Sequence, residues 1–299
     1  MNQNNSPAIP FSVATLGIAL FALMDAVMKG LATDLGAYNA MFWRGCCSIV
    51  LVLLLYLWKR PAWPAPTVLR LHLWRGGVVA VIAFLFFWGL VYVPLAEAIA
   101  LSFVAPLFAL YLAALLLGER VGSRAVVASL IGFSGALVVV FGQLSGEYDE
   151  KVFAGMGAIL MSAALYAYNL ILQRQQALVA GPVEISVFQT TMIFLVYLVL
   201  APFFATPPQP AMFPELLLAA LLSLVSLMLL SWAYARAEAR ILIPLEYTAF
   251  IWAALLGWLI FREQVSVASL VGTGLIVAGC LLAASQKPTQ IEHVETTAL

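Results

Sequence analysis

Residues 76–96, GGVVAVIAFLFFWGLVYVPLA, run for 21 positions without one Asp, Glu, Lys or Arg. About 20 such residues cross the hydrocarbon of a bilayer as a helix. The stretch is not isolated. Residues 98–118, 125–146, 152–173, 216–235 and 264–286 are equally free of charge, and 185–214 yields one span before Pro202, Pro207, Pro208 and Pro210 break it. Three further spans, about 11–32, 38–58 and 241–261, carry embedded charge at Asp25 and Lys29, at Arg44 and at Glu246. Apolar residues form 64% of the 299 and charged residues 9%, with mean hydropathy +1.04. A soluble fold of this size cannot hide that much apolar surface. The sequence therefore reads as an all-α polytopic membrane protein of ten helices, in contact with the lipid bilayer.

Fourteen basic residues balance fourteen acidic ones, which leaves no basic field for nucleic acid. Cys46, Cys47 and Cys280 lie in apolar runs without metal-ligand or disulfide spacing. Neither a metal nor a cofactor is expected. No HExxH or GxxxxGK is present. Gly132-Phe133-Ser134-Gly135 has the GxSG form of an intramembrane serine protease, but the two histidines, His72 before the third helix and His293 in the tail, are not placed to serve Ser134 as a base. Small residues for close helix packing are the better reading.

An offset of 144 positions superposes the halves: Asp25 on Asn169, Lys29 on Gln173, Trp88 on Trp232, Glu119 on Glu263, Val121 on Val265 and Gly135 on Gly279. Each half holds five helices, so the second copy enters the membrane from the opposite side. This is an inverted repeat, an architecture in which one half rocks against the other around a central cavity. The expected organisation is a tail over 1–10, repeats over 11–146 and 147–285, and a tail over 286–299.

The first half carries in order Pro94-Leu95-Ala96-Glu97-Ala98, Phe103-Val104-Ala105-Pro106-Leu107 and Leu117-Gly118-Glu119-Arg120. The second carries Pro244-Leu245-Glu246-Tyr247-Thr248, Trp252-Ala253-Ala254-Leu255-Leu256-Gly257 and Phe261-Arg262-Glu263. With Trp43-Arg44-Gly45, these resemble the EamA branch of the drug/metabolite transporter superfamily over about residues 10–285. The resemblance implies two inverted five-helix repeats and export of small metabolites across a bacterial inner membrane. Within the family the chain looks most like exporters of amino acids, aromatic ones in particular. Another small organic solute stays open as substrate, as does an intramembrane enzyme or a structural subunit. No feature fixes an oligomeric state.

Asp25 and Lys29 lie one turn apart on a single helix face. Buried charge in hydrocarbon is costly, so both need partners or water. They can line the cavity and meet the two ends of a zwitterion. They can also cancel each other, or Lys29 can snorkel while Asp25 bonds another helix. Asn169 occupies the place of Asp25 in the second repeat. Arg44 could hold a carboxylate or reach the headgroups. Phe84 and Trp88 on the third helix, Tyr168 on the sixth, and Tyr247 and Trp252 on the ninth could stack on an aromatic substrate or hold its ammonium. Ordinary packing competes for each of them. Glu97 and Glu246 follow prolines at helix starts, where a carboxylate offsets the helix dipole. Glu119 and Glu263 read as interface anchors. Pro106, inside the fourth helix, frees a carbonyl that could bond substrate.

Lys59, Arg60, Arg70, Arg75, Arg120, Arg124, Arg174, Arg236, Arg240 and Lys287 gather on the side of the termini, against Lys29, Arg44, Lys151 and Arg262 elsewhere. The positive-inside rule then places both termini in the cytoplasm. Reporter fusions after Leu299 and within residues 61–66 should both show cytoplasmic activity, and a periplasmic signal from either one overturns this orientation.

Overall fold

The computed structural model describes residues 8–59, 63–117, 123–142, 150–177, 179–234 and 245–284. Its helices are α1 (Ala8–Leu35), α2 (Ala37–Lys59), α3 (Pro66–Tyr92), α4 (Leu95–Ser102), α5 (Ala105–Leu117), α6 (Ser123–Gly142), α7 (Glu150–Ala177), α8 (Pro182–Phe204), α9 (Phe213–Tyr234), α10 (Ala249–Phe261) and α11 (Val267–Ala284). Six of them are long and apolar enough to cross a membrane, and shorter apolar helices accompany them. Broad exposed apolar faces, such as Leu54, Leu57, Val199 and Phe203, face outward on these helices, as lipid contact requires. Glu119, Arg236, Arg240, Lys287, residues 1–7 and the expected tail over 286–299 lie outside the described residues, and residues 8–10 of the expected N-terminal tail already belong to α1.

Sequence explains the joints. Gly36 alone links α1 to α2, at φ +78°, a left-handed conformation that glycine adopts without a Cβ clash. Pro66 and Pro182 open α3 and α8, where a missing N–H costs nothing. The third span starts ten residues earlier than its charge-free core, so His72 and Arg75 lie within α3 and are buried rather than at its mouth. The fourth span is not continuous. It breaks at Phe103–Val104, and Pro106 stands in the first turn of α5 instead of inside a helix. The Phe103 carbonyl released there accepts from Cys280 Sγ at 3.1 Å. One offset later, Tyr247–Thr248 break the chain just before α10. The two breaks meet, with the Phe103 and Tyr247 rings edge to face at 5.2 Å between centroids.

The repeats pair reciprocally. The first helix of one repeat lies on the third of the other, as α1 on α9 and α3 on α7, while α2 pairs with α8 and α6 with α11. In the pairs α3/α7, α2/α8 and α6/α11 the contacts define antiparallel registers. Gly89 meets Gly155 and Arg75 meets Asn169 between α3 and α7; Phe42 stacks on Phe194 between α2 and α8. Between α6 and α11, Gly142 meets Ala268, Gly135 meets Gly272 and Ile276, and Gly279 meets Ala128 and Gly132. Under the 144 offset Gly135 becomes Gly279 and Ala128 becomes Gly272, so this contact maps onto itself. The inversion inferred from sequence is built into the packing.

At Gly135 an added Cβ would lie 2.5 Å from the Gly272 carbonyl oxygen, whereas Gly274 faces open space. Gly135→Val should destabilise the bundle by at least about 1–3 kcal/mol, the usual range for overpacking. Gly274→Val should be close to neutral. Thermal unfolding of the two variants in detergent micelles measures the contrast.

Candidate functional site

Polar residues occupy three levels of the interior. At the Gly36 end of the bundle, Lys29 (6% exposed) forms an ion pair with Glu263 and donates to the Val93 carbonyl at 2.7 Å. Glu263 also accepts from the Leu95 backbone N–H at 2.8 Å, the first donor of α4. Phe261 places its ring 5.3 Å from the Lys29 ammonium. Glu97, buried in the first turn of α4, accepts from Ser269 Oγ of α11 at 2.6 Å. The turn that delivers Glu263 is an αL cap on α10, with Arg262 N–H donating to the Trp258 carbonyl at 3.2 Å and Glu263 N–H reaching the Gly257 carbonyl at 3.1 Å. Its left-handed residue is Arg262 at φ +59°, a non-glycine in a conformation that costs roughly 1–2 kcal/mol. Gly118 holds the matching place in the first repeat.

At the middle level Asp25 (4% exposed) lies in the electrostatic field of Arg44. Arg44 is half-buried and spans α1 to α3. Its Nη atoms reach Met24 Sδ at 3.8 Å and Met41 Sδ at 3.6 Å, its plane stands 5.8 Å from the Phe87 centroid, and its buried Nε has no hydrogen-bond partner. Thioether sulfur is a weak acceptor for a group with five N–H donors. Tyr197, itself fixed by donating to the Ala80 carbonyl at 2.9 Å, also interacts electrostatically with Arg44.

At the opposite end, Arg75 fans across α7. Its Nε donates to Asn169 Oδ1 at 2.9 Å, one Nη to Gln176 Oε1 and the other to Gln173 Oε1 at 3.3 Å. Gln176 continues to His72 Nδ1, and His72 Nε2 lies 2.9 Å from Glu184 Oε1 of α8. Tyr166, 43% exposed, carries its hydroxyl within the fields of Arg75 and Glu246.

The predicted residues therefore divide. Asp25 and Lys29 do not cancel each other: each turns to a different basic or acidic partner. Asn169 joins the Arg75 fan. Tyr168 accepts from Trp74 Nε1 at 3.1 Å. Phe84 is half-buried against the main core, and Trp88 packs edge-on to Tyr92 at 5.2 Å. Tyr247 sits on Phe103, and Trp252 packs by Ala14, Ile18 and Leu245 toward the outer groove of Phe11, Ser12 and Thr15. Sequence reasoning passed over Arg75, His72, Gln176 and Glu184, and set Glu263 aside as an anchor. One signal was available: Gln173 and Gln176 lie on the face of Asn169, a run of amides too polar for lipid. Gly132 and Gly135 serve helix contact, as expected, while Ser134 is exposed and bonds its own helix at Leu130.

A family model for EamA-like transporters matches residues 9–141 and again 153–285. The chain belongs to the EamA-like transporter family. It is 28% identical over 272 residues to the pseudopaline exporter CntI of Pseudomonas aeruginosa, covering 90% of this chain and 93% of that one. It is 30% identical over 276 residues to a riboflavin transporter of Rhizobium johnstonii, covering 89% and 87%. A crystal structure superposes with a TM-score of 0.61 at 21% identity over 91% of this chain and 98% of the other, which shows the shared fold. The protein is a multi-pass membrane transporter of small molecules.

The buried Lys29–Glu263 pair joins α1 to the α10–α11 turn, so removing one partner should strand the other charge. Lys29→Met and Glu263→Gln should each cost about 3–5 kcal/mol, while the double variant costs less than their sum. A double-mutant cycle on unfolding in mixed micelles reads the coupling. Additive losses would show that the pair contributes nothing jointly.

Proposed function

We propose that this EamA-family transporter is a secondary carrier that exports neutral amino acids, aromatic ones above all, or related zwitterionic metabolites, by alternating access. The observation that carries this reading is Arg44, a guanidinium inside the bundle whose Nε lacks an acceptor among the described residues and whose Nη atoms reach the sulfurs of Met24 and Met41. A substrate carboxylate supplies the bidentate acceptor that this group lacks. Lys29 is already held by Glu263 and Val93, so the carboxylate falls to Arg44 in preference to Lys29. The ammonium finds Asp25 or Glu246, and Phe84, Phe87 and Trp88 of α3 offer aromatic surface nearby along one helix. A second net charge on the substrate would meet few further partners in so apolar an interior, which favours neutral side chains.

Export accords with the name of the pseudopaline exporter among its relatives. The inner membrane, with both termini in the cytoplasm, accords with its bacterial relatives and the Lys/Arg distribution. The riboflavin transporter, at similar identity, favours a second reading, a bulky aromatic solute recognised without a carboxylate.

Flux of an amino-acid panel into protein-only liposomes separates the two. Uptake of phenylalanine should saturate, exceed that of aspartate and lysine, and fall about tenfold or more in Arg44→Gln, the scale of one lost charge-assisted contact. Trp88→Ala should weaken phenylalanine more than alanine. Unchanged phenylalanine flux in Arg44→Gln, with riboflavin transported by the wild type, would favour the second reading.

A further inference from the structure

His72 is fully buried, yet every hydrogen-bonding position of its ring is taken. The directions of those bonds follow from one fixed donor. Arg75 can only donate, so the Gln176 oxygen must face it. Turning the Gln176 amide over would set its NH2 against a guanidinium N–H. The Gln176 NH2 therefore points at His72 Nδ1, which must accept. His72 then carries its proton on Nε2 and donates it to Glu184. Arg75 thus dictates, through one amide, the tautomer of a histidine on its own helix.

The rest of the surroundings suit an imidazolium. Glu184 presents a carboxylate to Nε2, and the Phe188 ring lies parallel to the imidazole, 12° between planes at 4.8 Å, with its π face turned to it. From α7 the ring meets the neutral Gln176; from α8 it meets Glu184 and Phe188; on α3 Arg75 shares Gln176 with the ring and is itself bound to Asn169, Gln173 and Gln176, while Arg70 is exposed. Lys59, at the end of α2, turns instead onto Trp58, 4.2 Å from its centroid. Among the described hydrogen bonds of the ring, the orientation of the Gln176 amide is the one that opposes a second ring proton.

We propose that His72 is a proton-binding site whose occupancy is linked to the release of Arg75. When Arg75 swings away from Gln176, the amide is free to turn and offer its oxygen to Nδ1. One proton from water then forms an Nδ1–H bond, and the ring becomes an imidazolium paired with Glu184. By linkage, a ligand that draws Arg75 toward Tyr166 promotes proton uptake, and a proton on His72 promotes binding of that ligand by the same factor. The ligand class that suits a freed guanidinium is a carboxylate, so this proposal extends the transport reading. The proton site itself is tested without any substrate.

The chain has two histidines, so His293→Gln leaves His72 as the sole imidazole. Solid-state NMR of the full-length protein, 15N-labelled at histidine and held in lipid bilayers, then reports both ring nitrogens directly. Near neutral pH the neutral ring should be protonated at Nε2 and bare at Nδ1. At one mildly acidic pH, Arg75→Gln should show a several-fold larger imidazolium fraction than the parent. Gln176→Glu, which offers Nδ1 a fixed acceptor, should do the same. An Nδ1-protonated neutral ring in the parent overturns the proposal even where neither variant folds, and so does an equal imidazolium fraction in parent and variants. A flat result in the amino-acid flux panel would count against the substrate reading and leave these spectra unaffected.

Discussion

Hydrocarbon offers no water to a charged group, and this one constraint organises the bundle. Arg44 apart, the ionised side chains inside reach partners on other helices, because neighbours in sequence point elsewhere. Lys29 of α1 reaches Glu263, Glu97 crosses to α11, and Arg75 spreads over about two turns of α7. These bonds link residues far apart in the chain. They fix which helices meet, while glycine contacts such as Gly135 against Gly272 fix how closely. Apolar packing alone could not select neighbours here, since lipid tails are as apolar as leucine.

The two ends of the molecule are built on equivalent positions with different chemistry. Lys29 and Gln173 match, as do Asp25 and Asn169. At one end an ion pair grips a backbone turn; at the other, amides spread around a guanidinium. An ion pair in a dry setting is strong and has one geometry. Amides can turn over, exchange donor for acceptor and accept a new arrangement at modest cost. One end is thus suited to holding, the other to rearranging.

Much of this was legible in the sequence. The charge-free spans, the 144-residue offset and the roles of Gly132 and Gly135 follow from composition and spacing, because lipid exposure filters residues strictly. The long amphiphilic start of α3 was not, since His72 and Arg75 read as loop or interface charges until α7 is placed against them. Glu263 was misjudged for a similar reason. A carboxylate after an apolar run belongs at an interface by default, and only the left-handed turn at Arg262 folds it back inside. The break in the fourth span was visible as Pro106 but placed wrongly, because proline opens α5 rather than kinking one helix. Which aromatic side chains face the interior is a matter of helix rotation, and for Phe84, Trp88 and Tyr168 apolar patterning on a helix apolar all round carries no such information.

A carrier made of two identical inverted halves would be degenerate: its two facings would be mirror states of equal free energy, each half adopting in turn the shape of the other. Arg262 removes that degeneracy in the backbone itself. Its left-handed conformation holds strain of about 1–2 kcal/mol in the second half, at a position where the first-half sequence has Gly118, a residue type that would bear no such cost. Should the cap of α10 open in one facing and close in the other, that difference alone tilts the resting population by roughly five- to thirtyfold. The position of rest is then encoded by a single turn, as an imperfection in an otherwise symmetric duplication.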